Sequence, residues 1–169
     1  MYAQRPDVAA VGGKLYYADN TIQHAGIVIG LGAHRAAGHT HYKDDKMHLG
    51  YMGRLCYAQD VTAVTGACLL VSRAQYDEVG GLDEEFRVAF NDVDFCLKLR
   101  HAGYLNVFTP FAELYHYESK TRGMEEGEKQ KRFQQEVDMF RRKWKADLDA
   151  GDPYFNPNFS LDYSDYTIK

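Results

Sequence analysis

The hydrophobic and polar positions of the chain switch several times between strand-like and helix-like order. Residues 8–17 (VAAVGGKLYY) are β-branched and aromatic around a glycine pair and predict a strand. Asp19-Asn20 signals a turn, and residues 22–31 (IQHAGIVIGL) predict a second strand that pairs with the first as a hairpin. Residues 32–53 are rich in Gly, His and Asp and lack an apolar period. They predict a loop of roughly 20 residues, a length that in a compact domain is usually functional or mobile. Residues 61–72 (VTAVTGACLLVS) are almost continuously apolar, the pattern of a strand buried on both faces.

Helical order follows. Residues 73–79 predict a short helix closed by Gly80-Gly81. Residues 92–102 carry apolar side chains at Val93, Phe95, Cys96, Leu97 and Leu99 and end at Gly103, predicting a helix with a glycine C-cap. Residues 104–108 predict a short strand stopped by Pro110, and residues 113–117 another. Phe133, Val137, Phe140 and Trp144 repeat at helical spacing inside a long amphipathic helix over 125–148. The aromatic, proline-containing tail from Gly151 has no helical period and needs a surface to lie on. The expected organisation is a mixed α/β unit over 1–124, an amphipathic helix over 125–150 and an irregular tail over 151–169.

Composition narrows the partners. A net charge of -4 supplies no field that would draw nucleic acid. No apolar stretch approaches the roughly 20 residues of a membrane span, and residues 1–10 lack a basic-then-apolar leader. Cys56, Cys68 and Cys96 form no CxxC and are expected as reduced, buried thiols, which points to the cytoplasm.

The candidate chemistry lies between Thr65 and Gly123. Gly66 would let a ligand approach a buried strand. Asp92 and Asp94 stand at a predicted helix N-terminus, where the dipole stabilises a carboxylate. Taken alone, Asp92 reads as a helix cap and His116 as a structural histidine. His34, His39, His41 and His48 lie near Asp44 and Asp45, but no Cys or HExxH accompanies them. They read as exposed histidines of a flexible acceptor-binding loop rather than as a zinc site or the centre of a metal hydrolase.

In order, the pieces read TGACLLVSR, GGLDEEF, NDVDFCLKLRHAGY, a P-x-A turn, ELYHYES and TRG, preceded by GGKLYYADNTIQHAGIVIG. This ordered set, over residues 8–123, resembles the C-terminal, acceptor-side half of family 2 glycosyltransferases, especially the bacterial rhamnosyl- and polysaccharide-assembly members. The resemblance implies a partial GT-A α/β fold, with the nucleotide-binding half lying outside this sequence. It implies an inverting transfer from a nucleotide sugar to a glycan or glycolipid hydroxyl. Asp92 would be the general base, with Asn91, Asp94 and Gly66 at the acceptor. His116 would ligate a divalent metal, Mn²⁺ or Mg²⁺, and Arg122 would contact the diphosphate. Asp94 is equally readable as structural, and Arg122 as a surface arginine. Asn91 departs from the family's acidic residue at the first position of the box, and the family's metal-binding DxD segment is not found here.

The resemblance leaves two roles open, an enzyme half that is inactive alone and a non-catalytic interaction module. Both carry an expected homo-oligomer built on exposed sheet edge, with peripheral association at the inner membrane face compatible with either.

Overall fold

The computed structural model describes residues 1–117 and 127–169. In chain order the elements are β1 (Val8–Tyr16), β2 (Ile22–His24), β3 (Ile27–Ile29), β4 (Ala37–His39), β5 (Gln59–Val61), β6 (Leu69–Leu70), α1 (Arg73–Glu78), α2 (Asn91–His101), β7 (Leu105–Tyr115), α3 (Glu128–Lys143) and α4 (Lys145–Ala150).

The expected mixed α/β architecture is what forms. β1 lies inside a mixed sheet, parallel to β7 along one side and antiparallel to β2 and β6 on the other. β5 adds antiparallel to the far side of β7. β3 and β4 make a separate two-stranded sheet. α2 is apolar around most of its circumference and is therefore sunk into the core, where Phe95, Cys96, Leu97 and Leu99 meet Ala9, Val64 and Phe108 of the sheet side. Val137, Phe140 and Trp144, at the predicted spacing, close the same core from α3. Among the described residues no helix is long and apolar enough to cross a membrane.

Five segments differ from the sequence expectation. The strand over 22–31 breaks at Gly26, whose φ of +100° suits glycine and turns the chain from β2 into β3. The loop over 32–53 contains β4 and buries Thr40 and His41, because the tail holds it in place. Gly32 N–H donates to Leu161 O at 2.8 Å, His41 N–H to Ser164 O at 2.7 Å, and Arg35 pairs with Asp162. The apolar run over 61–72 is not one strand. It turns at Gly66-Ala67 and leaves Leu70 60% exposed. Pro110 does not stop its strand. Gly13 pairs with Thr109 and Lys14 with Glu113, so Pro110, Phe111 and Ala112 bulge out of β7, where a missing N–H costs no ladder bond. The long helix divides at Trp144 into α3 and α4, with residues 125 and 126 outside those described.

The cysteines also differ from expectation. Cys56 is exposed and Cys68 only partly covered. Cys96 alone is buried, and burial pushes its thiol up to about 12. The tail finds its surface on the chain itself: Phe155 and Tyr166 cluster with Val28 and Leu31, and the Asp152 carboxylate accepts the Ile29 N–H at 2.9 Å.

Candidate functional site

An open cleft of about 880 Å³ runs between the turn after Thr65, the head of α2 and the end of β7. Gly66, Asn91, Asp92 and His116, expected from sequence to share a site, all line it. Arg122 lies outside the described residues.

Asp92 sits in the first turn of α2. Its Oδ2 accepts the Gly66 N–H at 2.8 Å and its Oδ1 the Val93 N–H at 2.9 Å. The carboxylate is thus aimed by two backbone donors at a helix N-terminus. Gly66 packs close against Asp92: a Cβ at residue 66 would lie 3.3 Å from the Asp92 Cβ, so a side chain there would require Asp92 to give way by a few tenths of an ångström. The Asn91 side chain accepts the Asp92 N–H at 2.8 Å, so the amide at the departed acidic position still holds the turn.

Asp94 takes no part in the cleft wall. It is fully buried, accepts the Trp144 indole N–H at 2.9 Å and pairs with Lys143 Nζ at 2.7 Å. Burial disfavours the Lys143 ammonium, but its bonds to Asp83 and Asp94 outweigh this and raise its pKa. Of the two sequence readings for Asp94, the geometry has the structural one.

His116 follows the end of β7, its N–H donating to Tyr16 O at 2.8 Å. Among the described residues its buried Nδ1 has no hydrogen-bond partner. A buried imidazole nitrogen left unbonded by the described residues, at the edge of a carboxylate-bearing cleft, fits a metal ligand.

Two supports escaped the sequence reading. Phe90 enters α2 at φ 63°, unusual for a bulky residue, and is held there by stacking on Phe133 and Phe140 at 5.9 and 5.0 Å. Next to it the buried Glu136 accepts the Ala89 N–H at 2.6 Å. A carboxylate one residue from Val137, on the apolar face of an amphipathic helix, was the available signal.

The other support is a histidine pair. His24 is fully buried behind the cleft, with its Nδ1 2.9 Å from Nδ1 of His39, a cleft-lining residue. His24 Nε2 faces the N–H groups of Gly26 and Thr65, each at 3.4 Å. That assigns the lone pair to Nε2 and the proton to Nδ1, which donates to His39. Consecutive amides, Thr65 and Gly66, therefore face His24 and Asp92 respectively. The histidines of 34–48 are accordingly not a uniformly exposed set: His39 is paired and His41 is buried.

Burial, reinforced by the charge His39 would carry, holds His24 well below the ordinary histidine range, and burial lowers His41 despite Asp44. An unfolded histidine protonates near pH 6.5. Below that pH the unfolded chain binds more protons than the folded one, so stability is complete above about pH 6.5 and is lost as the pH falls beneath it. Thermal melts should give a level melting temperature from about pH 8 to 7, then a decline below about pH 6.5. The slope of that decline should be shallower in His24→Gln.

Comparison with known proteins gives concordant matches. The family model described as "Glycosyltransferase like family 2" matches residues 1–136. The uncharacterized protein y4gI of Sinorhizobium fredii is 54% identical over 169 residues, covering 99% of this chain and 18% of that protein. The O-antigen biosynthesis protein RfbC of Myxococcus xanthus is 33% identical over 173 residues, covering 99% and 13%. An N-acetylglucosaminyl-diphospho-decaprenol L-rhamnosyltransferase of Mycobacterium tuberculosis is 40% identical over 60 residues, covering 36% and 20%. The matched segments thus cover a fifth or less of each of these relatives. No solved structure matches.

Proposed function

Because the chain belongs to glycosyltransferase like family 2, we propose that it is the acceptor-side half of an inverting glycosyltransferase acting in bacterial surface polysaccharide assembly. The observation that carries this reading is the Asp92 carboxylate, presented to the cleft by Gly66 N–H and the head of α2. Asp92 accepts the proton of an acceptor hydroxyl as that oxygen bonds to the anomeric carbon. The bond from that carbon to the nucleoside diphosphate breaks from the opposite face, which inverts the configuration. Gly66 and Asn91 hold Asp92 in position from either side.

His116 would supply one ligand to a divalent cation, Mn²⁺ or Mg²⁺, which when bound offsets the charge of the departing diphosphate. Arg122 is assigned to the same diphosphate, where a guanidinium can bond two oxygens at once. The names of the O-antigen and rhamnosyltransferase relatives support the polysaccharide assignment.

The nucleotide, its sugar and the remaining metal ligands belong in this reading to a second half elsewhere in a longer polypeptide. The small share of each relative that this chain covers supports it. The 169-residue chain alone should then bind UDP-, GDP- and dTDP-sugars only weakly, even with Mn²⁺. Calorimetry tests this. A dissociation constant tighter than about 10 µM, roughly -7 kcal/mol, would mean that the donor site is contained in this chain.

A further inference from the structure

A second constellation of chemistry-bearing side chains lies in the 41–48 segment, and none of its members lines the cleft. We propose that His41, Asp44 and His48 form a structural site for a divalent transition metal of the zinc class.

One potential ligand atom from each residue lies within 4.8 Å of the other two. Two imidazole nitrogens converge on a single carboxylate oxygen: His41 Nδ1 is 2.8 Å and His48 Nδ1 3.7 Å from Asp44 Oδ2. In a tetrahedral zinc site with bonds of about 2.0–2.1 Å, ligand atoms lie about 3.3 Å apart. The two observed separations straddle that value, and His48 Nδ1 gives up the Gly50 N–H that it accepts at 3.1 Å when it turns to an ion. Two imidazoles and one carboxylate suit zinc-class ions and do not suit calcium or magnesium, which take oxygen ligands.

The site is built rather than incidental. His41 is 1% exposed, its ring lies 5.2 Å from that of Tyr166, and its N–H is bonded to Ser164 O. Its orientation is therefore set by packing against the tail. Among the described residues its Nε2 has no hydrogen-bond partner, so the buried ring directs its whole polar engagement toward Asp44. The turn is closed by Asp44 N–H donating to His41 O at 3.1 Å. His48 stands at the solvent side, 52% exposed, leaving room for a water as fourth ligand. A bound ion would brace the 41–48 turn, which begins two residues beyond His39, a member of the cleft wall. The site is independent of the glycosyl-transfer reading.

The test uses the 169-residue chain after dialysis against a chelator. Calorimetric titration with Zn²⁺ should show one equivalent bound with a dissociation constant of about 10 µM or tighter, far above background association of exposed side chains. His48→Ala and Asp44→Asn should each weaken this at least about tenfold, the usual cost of losing a ligand or its partner. His116→Ala should leave it in place, which separates this site from the cleft. Co²⁺ in place of Zn²⁺ should give the visible absorption of a four-coordinate ion in the parent chain and lose it in both ligand variants. Absence of saturable Zn²⁺ binding, binding that survives both ligand substitutions, or binding abolished by His116→Ala would each overturn the proposal.

Discussion

Asp92→Asn is expected to lower glycosyl transfer at least about 10²-fold, the usual scale for a lost general base. The substitution is nearly isosteric. An amide oxygen can still accept the Gly66 N–H that Asp92 Oδ2 accepts at 2.8 Å, while the amide NH2 replaces Oδ1 and gives up only the local Val93 N–H bond. What the amide cannot do is take a proton from an acceptor hydroxyl. Stability should therefore stay within about 1 kcal/mol of the parent, since no buried charge or core volume is lost. The measurement is turnover in a polypeptide that joins this chain to a donor-binding half, with urea unfolding of the 169-residue chain as the stability check. Turnover near that of the parent would leave Asp92 with a helix-terminal role only.

Asp94, two residues on, should show the opposite profile. Asp94→Ala is expected to cost about 3 kcal/mol of stability, a large share of the 5–15 kcal/mol available to a domain of this kind. The reason is what the carboxylate serves: it accepts the buried indole N–H of Trp144 at 2.9 Å and meets Lys143 at 2.7 Å and Lys98 at 3.6 Å. Removing it leaves the indole donor stranded in the core. The figure falls at the lower end for a broken buried pair because Lys143, 35% exposed, can turn to water and to Asp83. Asp94→Asn keeps an acceptor for the indole and should cost less. Urea denaturation at constant pH decides the matter, and a loss under about 1 kcal/mol for the alanine variant would contradict the structural role.

The two aspartates show how far the sequence could be read. Both stand in one NDVD run, and only the fold shows that Asp92 faces the cleft while Asp94 faces α3. Signals that are local survived: the β-branched and aromatic composition of β1, the apolar richness of α2, the Phe133–Phe140 spacing, and the glycines that close α1 and α2. Signals that depend on distant partners did not. The break at Gly26 and the turn at Gly66 follow from backbone dihedrals and from long-range pairing. The bulge at Pro110 depends on the register with β1. The His24–His39 pair joins residues from two different sheets. Asn91, Asp92, Gly66 and His116 were found together only through the order of the family's motifs. Taken singly, Asp92 reads as a helix cap and His116 as a structural histidine. Phe90 and Glu136, which brace the loop into α2, carry no motif at all.

The tail over 151–169 sets an order of events during synthesis. Asp152 bonds to Ile29 across 123 residues, and Leu161 and Ser164 reach back to Gly32 and His41. Contacts so distant along the chain form late, because the intervening segment must first be closed into a loop. On the ribosome, the β3–β4 ribbon that carries His39 emerges long before the residues that cover it. The sheet around β1 and β7 can assemble as soon as β7 is out, whereas the His39 side of the cleft must wait until residues 152–164 have left the exit tunnel.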